Sequence, residues 1–172
     1  SDVCSSDLSD YPQVTYHANF DSINGDIPDN YYDYILGNPP FTGSIKYLNP
    51  SWCCTKTKTT TKAKNANIAD VFVDLAINKT KDKGYIALVL PIGHLSNGKG
   101  TKKLRHYMKS QVALKFICYL DSDTFSKAGL TGTSVPTALC IFQKGVKQGK
   151  IFMGELSEQN KDIEIEIHSM AE

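Results

Sequence analysis

Six residues in an unbroken apolar run, Tyr85-Ile86-Ala87-Leu88-Val89-Leu90, end at Pro91. Such a run, closed by a residue that cannot donate to a ladder, is expected of a strand buried on both faces. Strands of that kind belong to parallel sheets covered by helices, and the flanking sequence agrees. Upstream, Ile68, Val71, Phe72, Leu75 and Ala76 recur at the spacing of one helix face. Asn65 or Asn67 is placed to cap that helix, and Lys79, Lys81 and Lys83 suit its C-terminal end, with Gly84 as the break. Downstream, Lys102 to Ser110 reads as a second helix burying Leu104, Tyr107 and Met108, with Thr101 as its cap. Strands are expected from Asp33 to Gly37 before the first helix and from Phe116 to Leu120 after the second. Strand, helix, strand, helix, strand implies right-handed parallel crossovers. Thr137 to Phe142, closed by Gly145, follows without a helical pattern before it, so an antiparallel pairing at the sheet edge is expected.

The remaining segments are less regular. Val14 to Asn19 reads as a short strand, and residues 42–64 as a loop in which Lys56, Lys58, Lys62 and Lys64 stand among five threonines. A connection that long inside a compact domain points to a functional or mobile loop. Ile163-Glu164-Ile165-Glu166-Ile167 alternates with period two, the pattern of a half-exposed strand. Residues 1–10 are polar and aperiodic and are read as a non-native or disordered lead. The domain is therefore expected over 11–150, with 151–172 as a strand-like extension.

With 172 residues, 41% hydrophobic and 22% charged, the chain suffices for one α/β domain or most of one. No apolar run approaches the roughly 20 residues of a membrane span, and no signal peptide opens the sequence. The five cysteines include no CxxC pair, so neither a disulfide framework nor a zinc site is indicated, no metal is expected, and a reducing cytoplasm fits best. The net charge of +1 hides an asymmetry: residues 1–36 carry seven Asp and no Lys or Arg, while residues 37–120 carry fourteen basic and three acidic groups. A block of that sign suits the phosphates of a polyanion, with a solvated lysine surface as the alternative. Only one of the nineteen cations is an arginine, which argues against dense bidentate reading of bases or phosphates.

In open α/β sheets ligands bind beyond the C-terminal strand ends. Asn38-Pro39-Pro40-Phe41 stands at such an end. The two prolines lock the backbone, so the Asn38 amide and the Pro39 carbonyl are held in a fixed relative orientation beside the aromatic face of Phe41. That arrangement suits an exocyclic amino group on a planar ring.

On these residues, Tyr32-Asp33-Tyr34-Ile35-Leu36-Gly37-Asn38-Pro39-Pro40-Phe41, the chain resembles the amino-methyltransferases that use S-adenosylmethionine, in their adenine-N6 form. The likeness extends over residues 14–150. Gly84 to Pro91 resembles the family's fifth strand, with Leu104-Arg105 in the helix after it. Phe125 through Thr133-Ser134-Val135-Pro136-Thr137 to Gln143-Lys144 is similar to the closing hairpin of restriction-modification adenine methylases, above all the modification subunits of type I systems. The resemblance implies a Rossmann-like α/β methyltransferase sheet with helices on both faces, mostly parallel with an antiparallel last strand. In that arrangement a glycine-rich strand and turn that cradles the cofactor precedes the Asn-Pro-Pro-Phe. Nothing like it stands among the 37 residues before Asn38, and Gly98-Lys99-Gly100 is too short to substitute. The N-terminal cofactor half is therefore expected to be missing, and the chain alone to bind S-adenosylmethionine poorly. No target-recognition domain is visible downstream.

The chemistry the resemblance implies is coherent. An adenine is flipped from the duplex at about a few kcal/mol. Its amino group donates to the Asn38 side-chain oxygen and the Pro39 carbonyl, which favours a pyramidal nitrogen able to attack the sulfonium methyl group and stabilises the charge that develops. Phe41 stacks on the base, worth about 1–3 kcal/mol. Further expectations are Asn19 and Asp21 toward the cofactor, Phe125 as a second stacking face or a core aromatic, and Lys56, Lys58, Lys62 and Lys64 toward DNA phosphates. His94 is expected to be a satisfied loop histidine. DNA is the implied partner, with a specificity or restriction subunit beside it and no membrane. The competing readings are a ribosomal-RNA guanine-N2 or release-factor glutamine methyltransferase, and a non-catalytic DNA-contacting module.

Overall fold

The computed structural model describes residues 20–23, 25–47, 64–96, 101–120 and 135–156. The strands expected over 14–19 and 163–167 lie outside these. Tyr32–Gly37 forms β1 and stops where the prolines begin. Ser44–Tyr47 (β2) and Lys64–Asn67 (β3) then pair antiparallel, Ser44 with Asn67 and Tyr47 with Lys64. The segment expected to be loop throughout thus carries a ribbon at its two ends. Its strands are four residues each, too short for alternation to register, and each exists only through a partner distant in sequence.

Helix α1 spans Ile68–Lys79. The Asn67 side chain accepts a hydrogen bond from the Ala69 amide at 2.8 Å, while Asp70 in the first turn and Lys79 in the last complement the helix dipole. The helix is buried on more than the expected stripe: Ala69, Val71, Val73, Asp74, Leu75, Ala76 and Ile77 are all inside. β4 runs from Thr80 to Pro91, longer than its apolar run. Its pairing with β1 slips between Thr80, opposite Tyr32, and Tyr85, opposite Tyr34. The slip contains Lys83 at φ 66° and Gly84, where a Cβ would stand 2.8 Å from the Asp33 carbonyl oxygen. Gly84 therefore permits a bulge within the strand.

A 3-10 turn, Ile92–His94 (η1), leads to α2 (Lys102–Gln111), β5 (Val112–Leu120), β6 (Thr137–Lys144) and β7 (Phe152–Leu156). Thr101 precedes α2 but makes no capping bond; its hydroxyl donates to the Gly93 carbonyl at 2.9 Å and so ties α2 to η1. The larger sheet has the order β1-β4-β6-β5-β7. β1 is parallel to β4 and β5 to β7, while β6 is antiparallel to both β4 and β5. The antiparallel strand was expected at the edge and is instead interior: the α2 crossover leaves a one-strand gap between β4 and β5, and β6 fills it with ladders on both sides. β7 carries no clear sequence signal because it is exposed on both faces.

The crossovers β1–α1–β4 and β4–α2–β5 advance across the sheet in the same direction, so right-handed connections put both helices on one face. Ile86, Leu88 and Leu90 point into that layer with Val73 and Ile77 of α1, Leu104 and Met108 of α2, and Ile117 and Phe142. Among the described residues the other face has no helix over it, and Tyr34, Leu36 and Tyr85 are exposed there. The run Tyr85–Leu90 accordingly alternates in burial and is not closed on both sides. The fold class stands: an α/β sheet, mostly parallel, with the antiparallel strand inside it.

Candidate active site

The last β1–β4 pair, Gly37 with Leu88, delivers Asn38 to the open end of the sheet. There Pro39 is buried, Asn38 and Pro40 are exposed, and Phe41 is half-buried. Two residues on, Gly43 adopts φ +119°, a conformation L side chains rarely take, and its carbonyl accepts from the Ile68 amide at 3.2 Å. The Asn-Pro-Pro-Phe loop is thus held at one end by the sheet and at the other by the first turn of α1. A cavity of about 440 Å³ opens beside it, bounded by Asn38, Pro39 and Pro40, by Ile35 and Leu36 of β1, and by Phe72 and Leu75 of α1.

Ser22 and Ile27 add to the wall. Their segment is fixed by a local turn: Asp21 Oδ1 accepts from the Ile23 amide at 3.0 Å, and the Asp21 carbonyl accepts from the Gly25 amide at 2.6 Å. A Cβ on Gly25 would collide with the Phe20 ring. Lys79 Nζ closes the far side by donating to the Ile27 carbonyl at 2.5 Å and to Asp29 Oδ1 at 2.6 Å. Asp21 itself is exposed and one of its oxygens serves this turn, so it neighbours the cavity through Ser22 and does not line it. Asn19, Phe125, Lys56, Lys58 and Lys62 lie outside the described residues, and Lys64 falls in β3.

His94 is buried, and its Nε2 lies 2.7 Å from Asp70 Oδ1 in the first turn of α1. The sequence predicted a satisfied loop histidine; the structure satisfies Nε2 through Asp70, a partner not foreseen, and leaves Nδ1 buried without one. Asp74 was missed altogether. It is fully buried on α1, and neither carboxylate oxygen stands in hydrogen-bonding geometry with a partner. Burial pushes its carboxyl up to about 6; the nearby Tyr107 hydroxyl and Asn78 side chain pull the other way, and the Asp29 charge adds to the rise. An acid between Val71 and Leu75 on the apolar stripe was the available signal. Lys144 donates to Asn30 Oδ1 at 2.7 Å and to the Thr80 carbonyl at 2.8 Å, pinning β6 to the start of β4. Burial lowers the pKa of this ammonium, against the opposing pull of Asp82 and Asp29. Burial also pushes the Cys140 thiol up to about 12, leaving it a packing residue. Among the described residues no cluster of three or more His, Cys, Asp or Glu side chains forms, and no helix is long and apolar enough to cross a membrane.

The sequence profile of the N-6 DNA methylases matches residues 9–171. The chain belongs to the N-6 DNA methylase family. Solved structures show the same fold around this N-6 DNA methylase segment. The methyltransferase subunit of a type I restriction-modification system from Streptococcus thermophilus superposes with a TM-score of 0.59 at 18% identity, over 88% of this chain and 35% of that one. A modification subunit assigned to a type I restriction enzyme of Vibrio vulnificus YJ016 gives 0.58 at 22%, over 75% and 26%. A Listeria monocytogenes protein described as a class I S-adenosylmethionine-dependent methyltransferase gives 0.58 at 15%, over 86% and 43%. The chain therefore spans less than half the length of these proteins. No curated protein sequence matches it.

Proposed function

We propose that this N-6 DNA methylase segment carries the target-adenine half of a DNA methyltransferase, which moves a methyl group from S-adenosylmethionine to the exocyclic N6 of a flipped-out adenine. The observation that carries the reading is the Asn38-Pro39-Pro40-Phe41 loop, held between β1 and α1 beside a mainly apolar cavity. The lining suits the cofactor in kind: apolar walls from Ile35, Phe72 and Leu75 stand beside the polar residue Asn38, a pairing that accommodates a flat ring and a reactive methyl group. S-adenosylmethionine supplies an electrophilic methyl group when bound.

The chain's own residues do the rest. The Asn38 side-chain oxygen and the Pro39 carbonyl accept from the adenine amino group, and both bonds strengthen as positive charge develops on nitrogen. Preorganisation comes from the prolines and from the Ile68–Gly43 bond, so little reorganisation is left for the reaction itself. Phe41 holds the extruded base by stacking. Lys56, Lys58, Lys62 and Lys64 meet DNA phosphates, and a specificity or restriction subunit is the protein partner. The test is an assay of the complete gene product with methyl-labelled cofactor and three acceptors: duplex DNA, ribosomal RNA and a release factor. Label recovered as N6-methyladenine is expected. Label in guanine N2 or in a protein glutamine would overturn the assignment.

A further inference from the structure

The His94–Asp70 pair lies outside the cavity beside Asn38, yet it is built where it can hold the loop that shapes it. His94 and Asp70 side chains are 6% and 16% exposed, and Nε2 stands 2.7 Å from Oδ1. A carboxylate only accepts, so Nε2–H donates to Asp70 Oδ1 in this bond, and Nδ1 is buried with no partner. Taking a carboxylate and an imidazole out of water is costly, and such pairs are best accounted for when they fix one geometry among several.

Each end of this pair has a defined anchor. On the His94 side, the Ile92 amide donates to the Pro136 carbonyl at 2.9 Å, and the Leu95 amide closes the turn onto the Ile92 carbonyl. Thr101 holds the Gly93 carbonyl from α2. The turn η1 is therefore fixed to the sheet and to α2. On the Asp70 side, the residue belongs to the same turn of α1 as Ile68, whose amide holds the Gly43 carbonyl two residues beyond Phe41. Phe72, two residues further along α1, lines the cavity beside Asn38.

We infer that His94 is a positioning residue: through Asp70 it locks the N-terminus of α1 onto the end of β4, and so sets where Phe41 and the Asn38 cavity wall stand. The inference rests on the methyl-transfer reading for its kinetic consequence, but not for its structural one. In the complete enzyme, His94→Leu removes the donor, Asp70→Ala removes the acceptor, and His94→Gln keeps an N–H near the Nε2 position. Both breaking variants should lower kcat about 10–100-fold, the scale on which small misplacements act. Dissociation constants for DNA and S-adenosylmethionine should stay within about threefold of the parent, and His94→Gln should recover most of the loss. Hydrogen exchange should become faster in peptides covering 41–47 and 66–71 in the breaking variants only. Wild-type kcat in either breaking variant, failure of His94→Gln to restore turnover, or unchanged exchange in those peptides would overturn the inference. A parent enzyme that does not methylate adenine would sink the methyl-transfer reading alone, and the exchange measurement would still decide the role of His94.

Discussion

Leu36 and Leu88 sit on neighbouring strands, in register positions one residue apart, yet Leu88 is 4% exposed and Leu36 78%. The two leucines point to opposite faces of one sheet. Leu88 meets α1 and α2; Leu36 meets no helix among the described residues. The same residue type in the same kind of strand is core on one side and surface on the other, because both right-handed crossovers advance the same way and cover the same face. The open ends of the strands form a third environment, where Asn38 is exposed and contributes little to packing. Stability therefore resides in the helix-facing layer, and the proposed chemistry is assigned to the strand tips.

The strongest way to probe that division is at Leu90, fully buried in the covered layer. Leu90→Ala should cost about 2–5 kcal/mol in denaturant unfolding, with a shifted midpoint and an unchanged slope. A loss under about 1 kcal/mol would mean that the layer repacks freely and is no true core. At the tip, Asn38→Ala in the complete enzyme should leave the unfolding midpoint where it is and reduce turnover roughly 10²–10³-fold, as loss of one preorganised group does elsewhere. Phe41→Ala should weaken retention of the base, while Phe41→Trp is tolerated. Near-normal methylation by Asn38→Ala would erase the distinction between tip and layer.

Asp74 tests the layer by pH. Its carboxyl is raised from 3.8 to about 6 in the folded state, so its contribution to stability is fully present below the lower value and is lost as pH rises through the higher one. Between pH 4 and pH 7 the parent should lose on the order of 3 kcal/mol from this group. Asp74→Asn should flatten that decline, which urea titrations across the range would read directly. A parallel decline in both proteins would show that Asp74 is charged and solvated within the fold. The smallest effect is expected on the open face. Leu36→Ser should change stability by less than about 0.5 kcal/mol, as surface substitutions do. A destabilisation comparable to that of Leu90→Ala would show the face to be covered after all.

Much of the fold was legible before any coordinates. The helices over 68–79 and 102–111 follow from apolar spacing, the first also from its Asn67 cap, and β4 from an apolar run ended by proline. The Asn-Pro-Pro-Phe was placed at a strand end because consecutive prolines cannot continue a ladder. What local sequence did not reveal was each feature that depends on a distant partner. β2 and β3 are too short to announce themselves, β7 is exposed on both faces, and the Gly84 bulge matters only because Asp33 lies opposite. The buried Asp74 and the His94–Asp70 bond are likewise invisible to periodicity, which sorts residues by face and not by neighbour.

The sequence by itself determined both helices and the strands β1, β4, β5 and β6, that the sheet is mostly parallel, and that an Asn-Pro-Pro-Phe closes a strand. These are consequences of backbone chemistry and of hydrophobic period, and both act within a few turns of the chain. The tertiary structure alone decided that β6 enters between β4 and β5, that both helices share one face, and that α1 is bonded to Gly43 and His94. Those outcomes depend on ladder hydrogen bonds and burial between residues far apart in sequence, and no local propensity carries that information.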